Sequence, residues 1–383
     1  MLKIRRINFF PRSGAVLIFL VAALFSPLTG SAGQNGSQED LARQVGQMLM
    51  IGFRGLEVDE DSPVIRDIKN GRIGGVVLFD YDVARKSPQR NIRSLQQLKD
   101  LVCKLQAATD SPLLVAVDQE GGKVARLKEK HGFPPTVSQA RLGEKNDLKL
   151  TSKQASKTAS TLAELGINVN LAPVVDVDIN PDNPVIGRLE RSFSSDSEKV
   201  AAHAREVIKS HRQKNVLTAL KHFPGHGSST TDSHHGFTDV SATWREVELE
   251  PYAALFKSPG VDMVMTAHVF NSDLDPVWPA TLSQKVLHGL LRQEMGFDGV
   301  IISDDMQMGA IRDNYSLQTA LKRTVLAGTD IIVFGNNLVY EEDIAARARD
   351  TILKLVEKGE IPAQTIHESY ARIMELKKGL KKN

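Results

Sequence analysis

A single cysteine, Cys103, stands in 383 residues, so no disulfide can form within the chain. Charge of one sign is lacking as well, with a formal net charge of +2. The first 32 residues hold Lys3, Arg5, Arg6 and Arg12 and no acid; without them 44 basic residues face 46 acidic ones. That balance carries no footprint of a nucleic-acid partner. The glycine fingerprint of a dinucleotide-binding doubly wound sheet is missing, and no low-complexity linker divides the chain. Cys103 itself reads as a small buried residue on a helix.

Long apolar runs are scarce, and the longest lies near the N-terminus at residues 15–25. A basic stretch precedes it, Ser26-Pro27 breaks it, and Gly30-Ser31-Ala32 offers small residues for cleavage. This is the pattern of a secretory signal over residues 1–32; as a membrane anchor the run is short. No cysteine follows to accept a lipid, and Arg5-Arg6 matches a twin-arginine signal only weakly. The sequence therefore predicts an exported protein, periplasmic or secreted, with residues 33–383 as one folded domain.

What remains is ordinary globular composition, 41% hydrophobic and 25% charged. Eight short apolar runs are candidate strands: 47–53, 74–79, 113–117, 168–172, 216–220, 263–267, 299–302 and 330–334. Helical patterns alternate with them. Ser37 starts the first as a capping box, and others span 91–108 and 152–165, the latter ended by Gly166. Leu317, Leu321 and Val325 share a face before Gly328. Residues 364–377 carry an apolar stripe of Ile366, Tyr370, Ile373 and Leu376, which predicts packing on the outside, followed by a solvated Lys-rich tail. Alternation of this kind over about 340 residues predicts an α/β fold, a single-domain TIM-like (β/α)8 barrel.

The fifth run leads into Lys221-His222-Phe223-Pro224-Gly225-His226-Gly227, where Pro and Gly turn the chain into a loop. Asp232-Ser233-His234 follows. A carboxylate two positions before an imidazole favours its charged form and fixes its orientation, which suits His234 to general-acid work. A His-rich surface loop, or core histidines bonded to carbonyls, is the plain alternative. His222, His226, His234 and His235 also raise the question of a metal. Neither HxH nor HExxH spacing occurs there, and no metal or organic cofactor is expected.

Barrels carry their chemistry where strands end, and several of these runs end in polar groups. The third leads to Asp118, Glu120 and Arg126, and the region after the fourth to Asp176, Asp178 and Arg191. The fifth leads to Lys221 and His222, the sixth to His268, and the seventh to Asp304-Asp305. Asp304, directly after a buried run, is placed as a nucleophile, and Asp305 points the other way as a cap or brace. Asp118 is placed to grip two ligand hydroxyls. Arg126, Arg191 and Lys221 are placed to pair carboxylates or bind ligand oxygens.

Together KHFPGHG…DSH at 221–234, DQEGGKVAR at 118–126, NPVIG…RSF at 183–193 and SDDMQM at 303–308 resemble the β-N-acetylglucosaminidases of glycoside hydrolase family 3, the NagZ-like branch. The first motif is highly specific, and the matches run in order over nearly all of the exported chain. The resemblance implies a TIM-like barrel and a retaining mechanism. It makes Asp304 the nucleophile and His234, oriented by Asp232, the acid/base. It assigns the sugar pocket to Asp118, Arg126, Arg191, Lys221 and His222. Two departures stand out. Arg188-Leu189-Glu190 intervenes before Arg191, leaving Arg188 or Arg191 for the pocket, with Ser192-Phe193 favouring Arg191. Lys123 stands where an arginine is common.

The implied reaction is exo-hydrolysis of terminal β-linked GlcNAc from an oligosaccharide or muropeptide, by a protein expected to be monomeric. A β-glucosidase or β-xylosidase of the same family is a rival that the Asp-His pair disfavours. A GlcNAc phosphorylase is another, since histidine repels incoming phosphate less than a carboxylate does. A non-catalytic cell-wall-binding barrel would be expected to lack Asp304 or His234, and both are present.

Overall fold

The computed structural model describes residues 31–380; residues 1–30, most of the expected signal, lie outside the described residues. The barrel lies within the compact unit Leu41–Asn383. A helix over Ser31–Gln47 precedes it, so Ser37 falls inside that helix rather than at its cap.

All eight expected strands form: β1 Leu49–Gly52, β2 Gly75–Leu78, β3 Leu114–Val117, β4 Val169–Asn170, β5 Leu217–Phe223, β6 Met263–Thr266, β7 Val300–Ile302 and β8 Ile332–Phe334. Each strand from β1 to β6 pairs in parallel with the next in sequence, and β1 pairs with β8. Ile302 and Ile331 bridge β7 to the entry of β8, where Ser303 N–H donates to Ile331 C=O at 2.8 Å. The sheet thus closes on itself. Helices cover its outer face, so the strands are buried on both sides and read as unbroken apolar runs rather than alternating ones.

The helix Leu95–Ala107 shows why the outer layer forms. Ser94 accepts the Gln97 N–H as its N-cap, and Leu98, Leu101, Val102 and Leu105 face the strands in one core. Each fully buried leucine there contributes roughly 2 kcal/mol, and Leu98→Ala would cost about 3 kcal/mol. Cys103 sits on the opposite face and is exposed, not buried as its neighbours suggested. The helix expected from 152 starts earlier, at Leu148, because Asp147 caps it through the Lys149 and Leu150 N–H groups.

Two strands differ from expectation. β4 is short because side chains replace its ladder: the Asn168 amide bonds Val115 N–H and Leu113 C=O, and Asn170 does the same for Gln119. β5 is longer than expected and runs through Lys221 and His222 to Phe223, which pairs with Thr266. Charged side chains stay in this buried strand because carboxylates neutralise them, as described below. The C-terminal helix, Ala363–Lys378, buries Ile366 and Ile373 as expected. Its Lys377, however, is buried, donating to Gln47 and to the Gly74 carbonyl at 2.7 and 2.8 Å.

Candidate active site

The C-terminal ends of the strands deliver a network of charges. Past β3 the chain makes a small hairpin, Gln119–Gly121 against Val124–Ala125. Its turn uses Gly121 and Gly122 at φ +109° and +59°, a region few side chains tolerate. The hairpin presents Asp118, Glu120 and Arg126 at one mouth. Lys221 Nζ lies 2.9 Å from Asp118 and 2.6 Å from Glu120. Arg191 grips Glu120 with two bonds of 2.8 Å, and Arg126 reaches Asp118 at 3.1 Å.

Two carboxylates therefore hold three cations out of bulk water. Burial alone would raise the Glu120 carboxyl and lower the Lys221 ammonium, but their partners outweigh it and both shift the other way. The bonds are shared, since Lys221 holds both carboxylates and Arg191 also donates to the Val185 carbonyl at 2.8 Å, so each side chain is fixed by more than one member of the network.

Next in the ring, His222 Nδ1 lies 2.7 Å from Asp176 Oδ2. Asp176 Oδ1 also accepts the backbone N–H groups of His222 and His226, at 3.1 and 2.8 Å. Arg191 Nη2 stands 3.2 Å from His222 Nε2. A guanidinium can only donate, so Nε2 accepts and the ring proton sits on Nδ1. His222 is thus committed on both nitrogens.

Asp304 lies just past β7 and Ser303. Burial pushes its carboxyl up, but the surrounding histidines, His268 first, outweigh this and hold it below the usual value. It is an ionised carboxylate in a sheltered place, the state a nucleophile needs. Asp305 is the expected brace: its Oδ1 takes the N–H groups of Gln307 and Gly335 at 3.0 and 2.8 Å. Burial, with Asp304 adding, pushes its pKa up to about 6. His268 Nε2 meets the Asp305 carbonyl at 3.0 Å and so carries the proton there.

His234 Nδ1 lies 2.7 Å from Asp232 Oδ1, which also accepts the His234 backbone N–H at 2.8 Å. Burial lowers the imidazole pKa, but the Asp232 bond and the charge of Asp304 raise it further, for a net upward shift. Nε2 is left for a ligand.

Asp304, His234, Asp232, Asp118, Arg126, Arg191, Lys221 and His222 all line one cavity of about 440 Å³. Arg188 does not; it is exposed, 3.5 Å from Asp182, and Arg191 occupies the pocket position. Glu120, noted only as a polar group past the third strand and given no role, lines the cavity as well. Its place two residues after Asp118 in a hairpin strand, on the same side, was the available signal. Asp176 carried no signal linking it to His222.

Residues 40–376 match the model of the glycosyl hydrolase family 3 N-terminal domain. The chain belongs to glycosyl hydrolase family 3. Within that family it is 30% identical to the β-hexosaminidase of Hydrogenovibrio crunogenus, over 86% of this chain and 93% of the relative. It is 33% identical to β-hexosaminidase A of Pseudoalteromonas piscicida, over 88% of this chain and 60% of the relative. Among solved family 3 structures, a β-N-acetylglucosaminidase from Paenibacillus sp. FPU-7 aligns with a TM-score of 0.80 and 35% identity, covering 88% of this chain and 62% of the other. The β-N-acetylhexosaminidase of Beutenbergia cavernae aligns at 0.78 and 30%, covering 88% and 98%. The chain thus spans less than two thirds of two of these relatives and nearly all of the other two. The expected family and the TIM-like barrel of this family 3 domain are both borne out.

Proposed function

We propose that this family 3 protein is a retaining, exo-acting β-N-acetylhexosaminidase that hydrolyses terminal β-linked GlcNAc. The observation that carries the reading is that Asp304 and the Asp232–His234 pair line the same cavity as the charged network. The names of the relatives support a GlcNAc-containing substrate.

Asp304 attacks the anomeric carbon as His234, protonated, gives its Nε2 proton to the leaving oxygen. The bond to the leaving group breaks and an ester between the sugar and Asp304 forms. Neutral His234 then takes a proton from water, whose oxygen attacks the same carbon and releases Asp304. Two inversions retain the configuration. Asp118, Arg126, Arg191 and Lys221 hold the sugar's hydroxyls and N-acetyl group, with His222 lining the same pocket bonded to Arg191, and their mutual bonds fix them beforehand.

The substrate we favour is a peptidoglycan fragment, met outside the cytoplasm by an exported monomer. The N-terminal signal pattern supports export, and among the described residues no helix is long and apolar enough to cross a membrane. The test compares p-nitrophenyl β-GlcNAc with p-nitrophenyl β-glucoside, with and without phosphate. Strong GlcNAc preference in phosphate-free buffer supports the hydrolase, turnover only with phosphate makes it a phosphorylase, and no turnover of either favours a binding protein.

A further inference from the structure

His234 and Asp232 face solvent with side chains 45% and 27% exposed, yet Ser233 between them is 2% exposed. The bond between Asp232 and His234 fixes the imidazole relative to its own loop. It does nothing to fix that loop relative to Asp304, and general-acid catalysis depends on that second distance. Something else must hold it.

We propose that His226, which lies outside the cavity wall, is the positioning residue of the acid/base loop, clamping Ser233 and so setting where His234 stands. His226 is 3% exposed. Its Nε2 lies 3.1 Å from Ser233 Oγ and its Nδ1 2.8 Å from Ser229 Oγ, so the ring ties both limbs of the loop together. The ring is itself anchored, because its backbone N–H donates to Asp176 at 2.8 Å and its face meets His222 edge-on with centroids 5.8 Å apart. One nitrogen donates and the other accepts, which suits a neutral imidazole between two hydroxyls that rotate to match.

A second hold comes from the side of the nucleophile. The short helix Gly309–Arg312 follows Asp304 and Asp305 in the chain. Its Ala310 N–H donates to the Ser233 carbonyl at 3.2 Å, and Gly309 N–H to the His234 carbonyl at 3.1 Å. Position 309 has room only for glycine: a Cβ there would stand 3.0 Å from the His234 carbonyl oxygen and 2.9 Å from the carbonyl carbon of His235. The loop is thus pinned at Ser233 by its side chain on one side and by its backbone on the other. His226 works through the position of His234 and does not touch substrate.

The inference rests on His234 being the proton donor, so the test must separate the two claims. Kinetics of Ser233→Ala, His226→Ala and His226→Gln are compared on p-nitrophenyl β-GlcNAc, a good leaving group, and chitobiose, a poor one. Positioning loss falls on proton donation, so Ser233→Ala and His226→Ala should lose at least about tenfold more kcat/KM on chitobiose. His226→Gln, which keeps a donor and an acceptor, should recover part of that gap. Added to His234→Ala, Ser233→Ala should cost nothing further. Ser233→Ala removes one hydroxyl and carries the test if His226→Ala does not fold. Equal losses on both substrates, or losses that multiply in the His234→Ala background, would overturn the clamp while leaving His234 as the acid. Should His234→Ala itself affect both substrates equally, the acid assignment falls and the clamp falls with it.

Discussion

Asp305 donates its backbone N–H to Oδ1 of Asp304 at 2.8 Å while its own carboxylate turns away to hold Gln307 and Gly335. Two adjacent aspartates thus divide the work: one carboxylate is bound to the scaffold, and the other is held by a single N–H and faces the cavity. The division follows from alternation along an extended chain, which sends successive side chains to opposite sides.

Asp304→Ala is therefore expected to remove nearly all turnover, roughly 10³-fold or more in kcat. Thermal unfolding should change little, because no fold-bearing contact is lost with that side chain. Loss of folding together with activity would show Asp304 to be structural instead.

The Glu120 carboxylate predicts a stability effect. It partners both Lys221 and Arg191, so Glu120→Ala leaves buried cations short of an anion. A cost of about 3 to 5 kcal/mol is expected in urea unfolding. Adding Arg191→Met, which removes one stranded charge, should return part of it. A neutral Glu120→Ala would mean that water or another group compensates the cations.

The pH profile follows from the dyad. His234 must be protonated to act as acid, and its pKa lies above 6.5, so the basic limb of kcat/KM should fall above that value. Asp304 must be ionised and is held below 3.8, which places the acidic limb low. In Asp232→Asn the bond that most supports the imidazolium is gone while burial remains and only Asp304 still supports it, so the basic limb should move to lower pH. A basic limb that stays in place would detach it from His234.

Export makes a plain prediction. Protein recovered from outside the cytoplasm should begin at Gly33, read by N-terminal sequencing. Recovery of the intact N-terminus from the cytoplasm would contradict it.

Much of the barrel was legible because parallel strands buried on both faces leave an unbroken apolar signature, as in Leu114–Val117. Gly328 likewise marks its helix end at φ +102°. What was not legible depends on partners distant in sequence. Lys221 and His222 looked like the end of a strand, because only the fold brings Asp118, Glu120 and Asp176 beside them. Lys377, at the end of the amphipathic stretch, gave no sign of burial, because its acceptors are a glutamine side chain and a backbone carbonyl more than three hundred residues earlier. The expected residues that line the cavity were named through a motif. Their mutual bonding, and the holding role inferred for His226, needed coordinates.

The central claim is the covalent step at Asp304. The most direct measurement incubates the enzyme with a 5-fluoro GlcNAc donor bearing a good leaving group, which slows breakdown of the intermediate, and maps the adduct by peptide mass spectrometry. The account predicts one sugar per chain, attached at Asp304 and absent from Asp304→Ala. A sugar on another residue, or turnover of the donor with no adduct at any time, would contradict it.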